Sequence, residues 1–115
     1  LVETAQILTS SLRTTDEVGR YGGEEFVMVL SHTGQEAAIE VAERIRRTLA
    51  SGSLSERKLR VTASLGVAEI APGDTSATQL VARADEALYA AKDGGRDRVE
   101  RARPAEEPSP SPPVA

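Results

Sequence analysis

The chain has 115 residues, a formal charge of −4 from 14 basic and 18 acidic side chains, and no cysteine. That size suits one small domain, and the lack of cysteine excludes a disulfide frame or a thiolate metal site and suits a reducing, cytoplasmic setting. The acidic balance argues against nucleic acid as a partner, one Phe and two Tyr are too few to stack a run of bases, and no apolar run approaches the roughly 18 residues that span a bilayer, so no membrane contact is expected of this segment.

No signal peptide and no initiator Met stand at Leu1, so the chain reads as starting inside something longer or after a trimmed segment. Val2, Ala5, Leu8 and Leu12, with Ile7 beside them, predict an amphipathic helix over Val2 to Leu12. Arg13-Thr14-Thr15-Asp16 breaks it and leads into a β-favouring run, Val18 to Tyr21. Gly22-Gly23 then predicts a two-residue hairpin turn, because glycine takes positive φ at little cost. Phe26 to Leu30 forms the returning strand, with Glu24 and Glu25 at its start. Glu24, Phe26, Met28 and Leu30 share one face, and Glu25, Val27 and Val29 the other. Both faces are apolar beyond the tip, which predicts an interior strand covered on both sides.

Ser31 to Gly34 reads as a loop holding His32, a solvated residue rather than a catalyst. Gln35 to Ala50 is a helix with Ala38, Val41, Ala42, Ile45 and Leu49 inward and Glu40, Glu43, Arg44 and Arg47 outward, ended by Ser51-Gly52-Ser53. Strict alternation from Leu59 through Val67 predicts a strand reaching Ile70. Gly66 inside it marks a bulge or a close approach by another backbone. After the Ala71 to Asp74 loop, Thr75 or Ser76 suits an N-cap. The next helix runs to about Lys92 with Leu80, Ala84, Ala87, Leu88 and Ala91 inward, and Gly94-Gly95 stops it. Asp97 to Glu100 is a short edge strand. From Arg101 the chain is Pro, Ser, Glu and Ala without an apolar face, so 101–115 is expected to be disordered and 1–100 to be the domain. The order gives an α/β (α+β) fold, a mixed sheet flanked by helices. There is no internal repeat.

Three groups of residues could carry chemistry. Glu24 and Glu25 beside a bare glycine turn suit Mg²⁺ and a phosphate chain, although such hairpins usually only turn the chain and Glu25 also reads as a solvated strand-end charge. Lys92 and Arg96 bracket the end of the last helix and suit a polyphosphate; cations there also simply complement the helix dipole. Arg13 and Asp16 suit guanine and phosphate, yet a helix-end Arg and a turn Asp are ordinary.

The string Arg20-Tyr21-Gly22-Gly23-Glu24-Glu25-Phe26 resembles the signature of the GGDEF family, the diguanylate cyclases, in its GGEEF form. Val61-Thr62-Ala63-Ser64-Leu65-Gly66-Val67-Ala68 resembles the family's VTxSxGVA strand, read as structural. Ala84-Asp85-Glu86-Ala87-Leu88-Tyr89-Ala90-Ala91-Lys92 with Gly95-Arg96 resembles its closing ADxALYxAK…GR segment. The family often has Asn where this chain has Asp97, a difference expected to matter little. The resemblance implies GTP as substrate, cyclic di-GMP and two pyrophosphates as products, Mg²⁺ or Mn²⁺ as cofactor, and a homodimer with one GTP per subunit, under an upstream sensor domain in the parent protein. Glu24 would bind metal and serve as candidate base, with Glu25 in metal binding or catalysis. Gly22 and Gly23 would let the nucleotide approach, and Lys92 and Arg96 would contact its phosphates. Arg13 and Asp16 match the RxxD site at which cyclic di-GMP inhibits, with Arg44 as its additional arginine.

The resemblance spans residues 1 to 100, the later two-thirds of a GGDEF domain. The first strand with its metal-binding Asp, and the guanine-recognising segment after it, do not precede Leu1. The isolated chain is therefore expected not to make cyclic di-GMP. A non-catalytic module that binds cyclic di-GMP or mediates association is the alternative, and a fragment without a function of its own is a third.

Overall fold

A computed structural model describes residues 2–53, 55–58 and 60–103. The side chain of Val2, the residue Leu59 and the expected tail from 104 to 115 lie outside the described residues. Helix α1 spans Val2–Ser10, strands β1 and β2 span Glu17–Gly22 and Glu25–Val29, and helix α2 spans Gln35–Ser51. Strand β3 is Ser64–Val67, helix α3 is Ala77–Asp93, and strand β4 is Arg98–Arg101.

Helix α1 stops two residues before Leu12. The hydroxyls of Ser10 and Ser11 both donate to the Ile7 carbonyl, at 2.9 and 2.8 Å, and so compete for the helix's own acceptor. Its inward Ile7 and Leu8 meet Ile45 and Leu49 of α2 in a cluster that Val18, Phe26, Met28, Val41 and Ala63 surround. Helix α2 keeps the expected inward face, with Ala42, Ile45 and Leu49 buried. Gly52 closes it in the left-handed region (φ 68°), donating to the Leu49 carbonyl.

The sheet is not one piece. β1 and β2 pair antiparallel, β3 and β4 pair parallel, and the two pairs are separate among the described residues. The β2 strand is accordingly not covered on both sides. Phe26 and Met28 face the core, while Val29 is 56% exposed, because β2 pairs with β1 alone and meets the helices on one face. The β3 strand is also shorter than the alternation from Leu59 to Ile70 suggests. Its partner β4 offers four residues, and pairing ends at Val67 opposite Arg101.

β3, α3 and β4 form a parallel βαβ unit whose closeness depends on Gly66. A Cβ there would strike the Ala84 carbonyl oxygen and the Leu88 amide nitrogen, so the expected close approach is by the backbone of α3. Ala87 and Ala91 are buried on the same side. Ser76 takes the N-cap position of α3 without a side-chain bond to the helix. Gln79 Oε1 instead accepts from the N–H of Thr75, the residue before the cap, at 2.6 Å. The folded region runs past residue 100. Arg101 lies in β4, and Ala102 is buried, donating its N–H to the Val67 carbonyl at 2.7 Å.

Candidate nucleotide site

The turn that carries the acidic residues sits one position later than the glycine pair suggests. Gly22 still pairs, opposite Glu25, so Gly23 and Glu24 are the turn residues. Gly23 has φ 52°, a conformation that a Cβ would disfavour. Tyr21 is the extra residue of a bulge between Arg20 and Gly22 and is 63% exposed. Glu24 therefore projects from the turn itself, exposed, and Glu25 opens β2, partly buried. Nothing lies within 4 Å of a Cβ placed on Gly22 or Gly23, so the turn presents bare backbone to the outside. Arg20 fixes it: Nε and Nη2 both donate to the Gly23 carbonyl, at 3.0 and 2.6 Å. That job for Arg20 was not legible in the sequence, although an arginine three positions before a turn carbonyl is a readable spacing.

Helix α3 delivers its last turn to this hairpin. Lys92 Nζ stands 3.7 Å from Glu25 Oε1, with both side chains 38% exposed. Residues 67 positions apart thus meet through tertiary packing alone. Gly94 and Gly95 end the helix, and the Arg96 N–H returns to the Ala91 carbonyl at 2.9 Å. Arg96 is exposed and has left-handed backbone (φ 65°) four residues beyond Lys92, with no ion pair to either glutamate among the described residues. Asp97 makes a contact that the sequence reading did not foresee. Its carboxylate accepts from Arg46 Nη1 of α2 at 3.1 Å, and Arg46 also binds Glu43. The Glu43/Arg46 spacing was readable as a helix pair; the link to Asp97 was not.

Glu24 and Glu25 supply oxygen donors only. Two carboxylates on an open turn suit a hard divalent cation that completes its shell with phosphate and water. Among the described residues no cluster of three or more His, Cys, Asp or Glu side chains would hold a metal without such help.

A second constellation lies on the other side of the hairpin's base. Asp16 Oδ2 accepts from Arg13 Nε, and Asp16 Oδ1 from Arg13 Nη2, both at 3.1 Å. The backbone N–H groups of Arg13 and Ser31 add two more bonds, at 3.1 and 3.0 Å. The Arg13 guanidinium, helped by those N–H groups and opposed by burial, lowers the Asp16 carboxyl to about 2. The Asp16 side chain is 3% exposed and that of Arg13 60%, so the carboxylate is a buried anchor and the guanidinium is presented outward. Arg13 Nη2 also donates to the Ser31 carbonyl and to Thr33 Oγ1, at 2.7 and 2.8 Å. Arg44 Nη2 donates to the Ser11 carbonyl at 3.3 Å, two residues from Arg13. An open cavity of about 520 Å³ lies here, lined by Leu12, Arg13, Thr14, Asp16 and Glu17 among others.

These features correspond to a known family. The sequence pattern described as diguanylate cyclase, GGDEF domain, matches residues 1–98, and the chain belongs to that family. Diguanylate cyclase A of Treponema denticola is 45% identical over 101 residues, covering 86% of this chain and 27% of that protein. Response regulator PleD of Caulobacter vibrioides is 39% identical over 103 residues, covering 86% and 23%. The chain thus spans about a quarter of these curated relatives. Among solved structures, the active GGEEF domain of a diguanylate cyclase from Vibrio cholerae aligns with a TM-score of 0.81 at 34% identity, over 91% of this chain and 67% of that one. The GGDEF domain of DgcB from Caulobacter crescentus, in complex with c-di-GMP, aligns with a TM-score of 0.75 at 35% identity, over 86% and 60%. No helix among the described residues is long and apolar enough to cross a membrane.

Proposed function

We propose that this chain is the larger part of a diguanylate cyclase domain, which condenses two GTP into cyclic di-GMP and two pyrophosphates. The observation that carries this is the meeting of Lys92 with Glu25 at 3.7 Å, which brings a cation from α3 to the acidic glycine turn. One GTP lies along Gly22 and Gly23, and its phosphates are held by Lys92 and Arg96, Lys as a point charge and Arg as a fork. Each subunit of a homodimer holds one GTP, and the two face each other. The 3′-oxygen of one GTP attacks the α-phosphorus of the other. The bond to the bridging oxygen breaks, and pyrophosphate leaves with that electron pair. Glu24 takes the 3′-hydroxyl proton, and the same step in the opposite sense closes the ring. Glu24 and Glu25 would hold Mg²⁺ or Mn²⁺, which neutralises charge on the phosphate oxygens.

Arg13 and Asp16, with Arg44, form the site at which the product inhibits. Asp16 fixes the plane of the Arg13 guanidinium, whose remaining N–H groups are left for a guanine edge or a phosphate. A second reading, a module that binds cyclic di-GMP without making it, is favoured by this built cluster.

Turnover of GTP with Mg²⁺ by the parent protein, followed by chromatography, tests the first reading. Cyclic di-GMP is formed, Glu24→Ala abolishes it, and Lys92→Ala lowers it at least about 10-fold. Product that persists undiminished in Glu24→Ala overturns the cyclase reading. Calorimetry with cyclic di-GMP tests the inhibitory site: affinity is lost in Arg13→Ala, and unchanged affinity refutes it.

A further inference from the structure

The turn between α3 and β4 contains two consecutive residues with left-handed backbone, Arg96 (φ 65°) and Asp97 (φ 47°), neither of them glycine. A Cβ crowds the carbonyl in that region, so such a pair persists only where neighbours over-determine it. Two of the contacts that hold it arise within the α3–β4 segment. The Arg96 N–H donates to the Ala91 carbonyl at 2.9 Å. Arg98 Nε donates to the Arg96 carbonyl at 3.2 Å, and its guanidinium lies over Gly94 and Gly95, within 3.0 and 2.8 Å of where a Cβ would stand.

The third contact comes from another element. Arg46 of α2 donates through Nη1 to Asp97 Oδ1 at 3.1 Å. Its Nε and Nη2 both bind Glu43 Oε2, at 3.2 and 2.9 Å, so the planar head is fixed at one end by its own helix. The Arg46 side chain is 22% exposed, a guanidinium stretched between helix and turn rather than waving in solvent. A fork that binds two carboxylates in a fixed plane is a rigid strut, which a lysine would not reproduce.

We propose that Arg46, acting through Asp97, is a positioning residue for Arg96: the strut holds the left-handed turn from which Arg96 reaches the nucleotide phosphates. This rests on the phosphate-binding role given to Arg96 above. Asp97 is then part of the device, because its side-chain oxygen draws Arg46 across from α2 and aspartate, like asparagine, tolerates left-handed backbone better than most residues.

Amide exchange followed by NMR on the 115-residue chain reads the strut without any nucleotide. The Arg96 N–H exchanges at least about 10-fold faster in Arg46→Met and in Asp97→Ala, whereas the Gly94 N–H, bonded within the helix end to Ala90 at 2.9 Å, keeps its rate. Asp97→Asn keeps an acceptor for Arg46 and restores Arg96 protection to within about threefold of the parent chain. Calorimetry with Mg²⁺ and a GTP analogue blocked at the α–β bridge then shows Arg46→Met weakened about 10-fold, comparable to Arg96→Ala. Arg96 exchange within about twofold of the parent in both Arg46→Met and Asp97→Ala overturns the proposal. Faster exchange with undiminished analogue binding in Arg46→Met, while Arg96→Ala is weakened, overturns the link between strut and phosphate. Faster exchange with undiminished binding in Arg96→Ala retains the strut and refutes the phosphate role of Arg96 instead.

Discussion

Asp16 shows how a single side chain can be fixed by its surroundings. Both carboxylate oxygens accept from Arg13, and the Ser31 N–H adds a bond at 3.0 Å. Its carboxyl is thereby lowered from the ordinary 3.8 to about 2. A depressed carboxyl contributes stability that is complete above its unfolded value and lost as pH falls through its folded value. The urea midpoint of the chain therefore drops between about pH 4 and pH 2, and Asp16→Asn flattens that drop. An equally steep fall in Asp16→Asn would mean that other carboxylates govern the acid limb. Lys92 and Glu25 behave differently. At 3.7 Å, with both side chains 38% exposed, their pair contributes only about 0–1 kcal/mol to stability. Its interest is what it brings together. The RxxD spacing made Arg13 and Asp16 legible as candidates, but not that the acid is nearly buried while the arginine faces out.

Among the elements, helices were easier to read than strands. A helix satisfies its own backbone bonds, so the apolar stripe of Ala42, Ile45 and Leu49 and the stop at Gly52 foretold α2 to within a residue. A strand depends on its partner. The alternation from Leu59 to Ile70 describes a long strand, yet only Ser64–Val67 pairs, because β4 presents four residues. The Gly-Gly pair foretold a tight turn, and its position slipped by one because Tyr21 bulges. Gly66 was read correctly as a place of close approach. Gly66→Ala would drive a methyl into the backbone of α3, which cannot yield as a flexible side chain would. Denaturation in urea should show a loss of about 2–3 kcal/mol; a loss below about 0.5 kcal/mol would mean that α3 shifts aside freely.

At the scale of the molecule, two small sheets are joined through the helices α1 and α2. α2 packs against α1 on one side and against β3 and β4 on the other, while β1 and β2 form a ribbon seated on the core through Val18, Phe26 and Met28. A two-stranded ribbon alone is marginal in water, and Val29 leaves the far face of this one exposed. The amides paired between β1 and β2 should therefore exchange faster than those between β3 and β4, measured under native conditions. Equal protection in both ribbons would show that the molecule opens as one unit. The sequence by itself determined the identity of the elements, their apolar faces and the family, since hydrophobic period, glycine placement and the acidic turn are local facts. Only the tertiary structure decided that Lys92 meets Glu25, that Arg46 reaches Asp97, and that the strands divide into two ribbons. Those contacts join residues tens of positions apart, and their distances depend on how helices and strands pack in three dimensions, which no local pattern encodes.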